Sequence, residues 1–155
     1  MAISAKYVHT NIVARDWKRL AAFYQGVFGC QPVPPERHLQ GAWIDEATGI
    51  PNVLLDGQHL RLPGYGDSGP TLEIFQYNPS AEDVLTRINR PGFAHIAFAV
   101  EDVAAALEQV LEAGGSEYGK ITRAEIGGAG TIMFVYAADP EGNVIELQHW
   151  EAFRQ

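Results

Sequence analysis

The chain has 155 residues, 46% hydrophobic and 19% charged, which suits one compact domain or two fused half-modules with a real core. Its formal net charge is −8, from 19 acidic and 11 basic residues, the opposite of the basic footprint that non-specific nucleic-acid binding needs. No apolar run approaches a membrane span, residues 1–6 lack the charged-then-apolar layout of a signal peptide, and the single cysteine, Cys30, allows no internal disulfide. The expectation is a soluble cytoplasmic protein that binds neither nucleic acid nor membrane, with Cys30 as a small buried hydrophobe.

In chain order, Tyr7–Val13 reads as a strand carrying His9. Asp16 follows as an N-cap, its carboxylate able to accept from the free amides of a first helical turn. Trp17, Leu20, Ala21, Tyr24 and Phe28 then recur with a helical period, and Gly29 supplies the stop. A Pro- and Gly-rich stretch runs from Pro32 to Pro70; within it an Asp56-Gly57 turn precedes a strand over Gln58–Leu62. Thr71–Phe75 is a strand carrying Glu73. Ser80, with Asp83 three residues on and Pro91 beyond, predicts a short linker helix from Ala81 to Asn89. Phe93–Phe98 is a strand carrying His95. Asp102 caps a second helix with Val103, Ala106, Leu107, Val110 and Ala113 on one face, and Gly114-Gly115 closes it. Strands over Lys120–Thr122 and Thr131–Tyr136 flank Gly127-Gly128-Ala129-Gly130. That stretch is no phosphate loop, since no Gly-Lys-Ser/Thr follows, and is expected to be a mobile hairpin tip. The turn Asp139-Pro140-Glu141-Gly142-Asn143 leads into Val144–Leu147, the strand of Glu146.

The chain states one plan twice. His9 to Asp16 and His95 to Asp102 are each seven residues; His9 to Gly29 and His95 to Gly115 are each twenty. His9 to Glu73 spans 64 residues and His95 to Glu146 spans 51, the excess of 13 falling in the Pro- and Gly-rich stretch, where insertion costs least. The expected fold is α+β: two paired βαβββ modules forming a curled, incomplete-barrel mixed sheet around a metal-binding cavity, helices outside. The modules are expected at about 6–78 and about 92–150, joined by the linker helix at about 80–90, within one domain of residues 1–155.

Two imidazoles and two carboxylates at matching positions of apolar strands are costly to bury unless something pairs with them. A divalent metal held by His9, Glu73, His95 and Glu146 is the economical explanation. Zn, Ni, Co, Mn and Fe all suit nitrogen and carboxylate ligands, and the donor set favours a five- or six-coordinate site. Strand alternation then turns Asn11 inward with His9, Phe75 with Glu73 and Gln148 with Glu146, so these residues are expected to line the pocket. Arg61 is a candidate for an anionic group of the substrate, since its planar fork suits a carboxylate or phosphate. His38 is expected to be exposed. His149 is expected on the face opposite Glu146, and Trp43 and Trp150 are candidate pocket walls.

These segments resemble the vicinal oxygen chelate superfamily, the glyoxalase, bleomycin resistance protein and extradiol dioxygenase group. They are His9–Val13 with Phe23-Tyr24 and Phe28-Gly29, Gly69–Phe75, Gly92–Phe98 and Asp139–Leu147. The resemblance covers about Lys6 to about Trp150 and puts the family's four metal positions on His9, Glu73, His95 and Glu146. It implies a lyase or isomerase of the glyoxalase type, acting on a small carbonyl compound through proton abstraction and a metal-stabilised enolate. In such enzymes one ligand glutamate loosens and acts as base; Glu146 and Glu73 both qualify, with Glu146 preferred. The resemblance also implies a homodimer. Three alternatives stand beside it: an epimerase of acyl thioesters, an iron-dependent extradiol dioxygenase, and a non-catalytic small-molecule binder. Epimerase-like members often carry Gln at the second ligand position and a further base on an earlier strand. Here the second position is Glu73 and that strand offers no carboxylate, only His59, which can serve if it faces inward.

Overall fold

The computed structural model describes residues 1–151; the last four residues of the expected 1–155 domain lie outside it. The chain divides between Glu82 and Asp83 into two compact units. The first holds β1 (His9–Val13), α1 (Trp17–Phe28), β2 (Gln31–Leu39), α2 (Ala42–Thr48), β3 (Leu54–Arg61) and β4 (Thr71–Asn78). Asp16 caps α1 as its chemistry requires, accepting from the Arg19 amide at 3.0 Å. Gly29 ends α1 at φ 68°, a left-handed conformation that favours glycine.

The sheet of this unit runs β1-β4-β3-β2, with β1 parallel to β4 and the other pairs antiparallel. β2 is an edge strand with a register shift between Val33 and Arg37. An edge is where a strand containing Pro32, Pro34 and Pro35 is tolerated, because prolines cannot donate to a ladder. The two faces of the sheet do different work. Leu60, Leu72 and Ile74 are fully buried on the face that α1 covers with Leu20 and Tyr24. Each such side chain contributes about 1.5–3 kcal/mol through burial. Gln76 shares this face and accepts from the Trp17 amide at 3.2 Å, tying the start of α1 to β4. The opposite face carries Thr71, Glu73 and His59, and beyond them a cluster of Ile44, Val53, Leu55 and Phe75.

The second unit repeats the order with β5 (His95–Ala99), α3 (Val103–Glu112), β6 (Ser116–Glu117), β7 (Thr122–Ile126), β8 (Gly130–Ala138) and β9 (Val144–Glu151). Its sheet runs β5-β9-β8-β6, with β7 also pairing β8. β5 lies parallel to β9, as β1 does to β4. Asp102 caps α3 through the Ala105 amide at 3.0 Å. Val103 and Val110 are buried on α3, and Val135, Ala137, Ile145 and Leu147 on the strands it packs against. The fold is therefore α+β, two units that each open strand–helix–strand and build their own mixed sheet, four-stranded in the first and five-stranded in the second, and neither sheet closes into a barrel.

Two expectations about elements change. Residues 81–87 carry no helix. The Ser80 hydroxyl bonds the Ala81 carbonyl rather than capping a turn, and Val84 and Leu85 are exposed, so a helix there has no surface to pack on. Asp56 and Gly57 are not a turn but lie inside β3. The Pro- and Gly-rich stretch also contains α2, whose Ile44 joins the Phe75 cluster and whose Asp45 accepts from the amides of Asn52 and Val53 at 2.9 and 3.0 Å. The Gly127–Gly130 segment is a hairpin tip as expected, closed by the Ala129 amide on the Ile126 carbonyl at 3.0 Å. Asp139 is buried and accepts from the amides of Glu141 and Asn143, fixing the turn before β9. Among the described residues, no helix is long and apolar enough to cross a membrane.

Candidate metal centre

Parallel pairing of β1 with β4 sets His9 opposite Thr71 and Asn11 opposite Glu73. Antiparallel pairing of β3 with β4 sets His59 opposite Glu73. Facing residues on paired strands share a side, so His9, Asn11, His59, Thr71 and Glu73 gather on one face. His9 Nε2 lies 3.6 Å from Glu73 Oε1, which also accepts from Asn11 Nδ2 at 2.9 Å. His59 Nε2 lies 2.6 Å from Glu73 Oε2, and His59 Nδ1 lies 2.8 Å from the Thr71 hydroxyl. The His9 and His59 rings meet edge to face at 5.1 Å. The Glu73 side chain is only 14% exposed, so its charge is partly desolvated and its partners count. Burial pushes the His59 pKa down; the Glu73 carboxylate opposes that shift, and Arg37 and His9 add to it.

The second unit brings its own pair together. β5 and β9 set His95 opposite Val144 and Ala97 opposite Glu146, the register seen for His9 and Asn11. His95 Nε2 lies 3.0 Å from Glu146 Oε2, and the His95 ring packs on Tyr136 at 5.2 Å. Tyr136 faces Glu146 across the β8–β9 ladder, the register position of His59 in the first unit.

These contacts fit a divalent metal. Two ligand atoms at about 2.1 Å from one ion, at right or tetrahedral angles, stand roughly 3.0–3.4 Å apart; the His95–Glu146 separation of 3.0 Å falls in that range and the His9–Glu73 separation of 3.6 Å lies just above it. His9, His59 and Glu73 offer ligand atoms that all lie within 4.8 Å of one another, so the first unit alone presents three donors.

The candidate substrate residues take different places. Asn11 bonds Glu73 directly. Arg61 lies on the His59 face of β3, but its guanidinium donates to the Gly69 carbonyl, beside a cleft lined by Gln31, Pro32 and Asp67. Phe75 is buried with Ile44, Val53 and Leu55, so within its unit it is a core side chain, with one ring contact to His59 at 6.4 Å. Gln148 accepts from the Trp150 indole at 3.0 Å. His149 bonds the Val100 carbonyl on the face away from Glu146. His38 is exposed and pairs with Asp56 at 2.6 Å. Trp43 and Trp150 are both exposed. His59 carries no clear signal in the sequence, since its contribution depends on which way it faces; the β3–β4 register decides that and turns it toward Glu73.

The model of the Glyoxalase/Bleomycin resistance protein/Dioxygenase superfamily matches residues 6–147. The chain belongs to this superfamily. Most members of the superfamily are enzymes and typically bind a divalent metal. A relative from Cereibacter sphaeroides, named ethylmalonyl-CoA/methylmalonyl-CoA epimerase, is 26% identical over 142 residues, covering 90% of this chain and 94% of its own length. Among solved structures, a glyoxalase family protein from Bacillus cereus superposes with a TM-score of 0.80 at 18% identity, covering 96% of this chain and 99% of its own. The fosfomycin resistance protein FosX from Listeria monocytogenes superposes with a TM-score of 0.59 at 19% identity, covering 97% and 96%. At these identities the structural likenesses concern the fold.

Proposed function

We propose that this chain is a metal-dependent lyase or isomerase that moves a proton at the carbon beside a carbonyl of a small substrate. The reading rests on the repeated histidine–glutamate contact, His9 with Glu73 and His95 with Glu146, in a chain of this superfamily. The proposed ligands are His9, Glu73, His95 and Glu146. A divalent ion held by them supplies stabilisation of the negative charge that develops on the carbonyl oxygen. Glu146 takes the proton from the neighbouring carbon and returns it, at a different carbon or on the other side of the same one. A homodimer, common in the family, is the proposed assembly.

Two substrate classes fit this chemistry. The glyoxalase-type reaction turns the hemithioacetal of a 2-oxoaldehyde into a 2-hydroxyacyl thioester, and the presence of Glu rather than Gln at position 73 favours it. Epimerisation of a 2-substituted acyl thioester is the second reading, favoured by the epimerase relative that matches 90% of the chain. Incubation of the metal-loaded protein in D2O with each substrate, followed by NMR, separates the two. Deuterium entering C2 of methylmalonyl-CoA without rearrangement marks the epimerase, and formation of the hydroxyacyl thioester marks the glyoxalase type. Absence of both reactions in the loaded protein overturns the proposal. Glu146→Gln is expected to lower kcat by about 10²–10⁴-fold, the usual range for a general base; unchanged activity with metal retained removes Glu146 from that role.

A further inference from the structure

The two glutamates sit at equivalent places in the repeat but in unequal surroundings. Glu73 is held at both oxygens: Oε1 accepts from Asn11 Nδ2 at 2.9 Å, and Oε2 accepts from His59 Nε2 at 2.6 Å. An ionised carboxylate only accepts, so the proton of that second contact sits on His59 Nε2. In a neutral imidazole Nδ1 is then an acceptor, and the Thr71 hydroxyl at 2.8 Å is the donor that satisfies it. Thr71 is buried and opposite Arg61 in the ladder, so the chain Thr71–His59–Glu73 is fixed by strand pairing.

Glu146 lacks this arrangement. The register position of Asn11 is Ala97, which has no donor, and that of His59 is Tyr136, whose ring packs edge-on against His95. Among the described residues, the side-chain contact of Glu146 is His95.

We propose that Asn11, His59 and Thr71 form a clamp on the Glu73 carboxylate, which makes Glu73 the fixed glutamate of the centre and leaves Glu146 as the one able to leave its ligand position. His59 is on this view a positioning residue outside the ligand set. The inference deepens the metal-dependent reading above and rests on it.

The test uses the full chain loaded with Co(II). His59→Leu removes the donor at similar volume; His59→Gln restores an N–H at about the distance of Nε2. Loss of an outer-shell partner typically weakens metal affinity about 10–100-fold. His59→Leu and Asn11→Leu are each expected to weaken Co(II) binding by that factor and shift its visible absorption bands. His59→Gln is expected to return affinity to within a few-fold of the starting protein, about half a log unit or less by comparison with that loss. The count of paramagnetically shifted imidazole N–H resonances should be the same in His59→Gln as in the unaltered protein. Loss of one resonance makes His59 a ligand and overturns the clamp. Equal affinity in His59→Leu overturns it as well, while leaving the metal reading standing. If the unaltered protein binds no Co(II), both fall.

Discussion

At the scale of single residues, the chemistry concentrates on a few desolvated groups. The pairing of His9 with Glu73 and of His95 with Glu146 was legible because the repeat marked equivalent positions, and a costly polar group that appears twice at one register asks for a partner. His59 was not legible in the same way. Its facing depends on the β3–β4 register, and one residue of slip turns every side chain of a strand to the other side. Arg61 shares the face of His59, but the Gly69 carbonyl engages its guanidinium, a long-side-chain choice that residue identity does not determine. Cys30, the expected buried hydrophobe, is 1% exposed, and burial raises its thiol pKa from 9.0 to about 11. The thiol stays protonated in the folded chain while the unfolded chain ionises, so the unfolded state binds fewer protons between pH 9 and 11. Stability is therefore unaffected below pH 9 and falls as pH rises through this window, by up to about 2–3 kcal/mol. Urea unfolding at pH 8 and pH 10.5 should show that loss, and Cys30→Ala should reduce it; an unchanged pH dependence in Cys30→Ala contradicts the assignment.

At the scale of elements, helices with strong local signals formed where their caps and periodicity put them, because Asp16, Asp102 and Gly29 act within one turn of themselves. Where tertiary contacts decide, local signals do not predict the element. The 81–89 segment has the letters of a capped helix but leaves Val84 and Leu85 exposed, and α2 has a weak local pattern but a face to pack, with Ile44 against Leu55 and Phe75. Gly57 shows the same principle inside a strand. It looks like a turn residue beside Asp56, yet it faces Phe75 in the ladder, and a Cβ there would run into the Ile74 carbonyl oxygen and the Phe75 ring. Glycine lets that ring lie across β3 on the face that carries Glu73 and His59. Gly57→Ala is expected to destabilise the fold by about 1–3 kcal/mol, as overpacking does. Chemical denaturation measures it, and a change within experimental error contradicts the close approach.

At the scale of the whole chain, the repeated strand–helix–strand opening makes the two halves legible as copies of one plan. Each unit brings its first strand parallel to its last, so a histidine on the one and a glutamate on the other meet by the same register twice. The duplication is not symmetric in detail. The first unit carries the insertion with α2 and the donors around Glu73, and the second carries Ala97 and Tyr136 at the corresponding positions. Internal symmetry therefore accounts for the two matching histidine–glutamate contacts, and its local breaking accounts for the different surroundings of Glu73 and Glu146. The choice of substrate lies in neither, which is why spacing alone did not reach it. The most direct test of the metal centre is elemental analysis of the purified protein beside His9→Ala and His95→Ala. A centre held by both histidines should give stoichiometric divalent metal in the unaltered protein and lose it in both variants; full metal content in either variant rules that centre out.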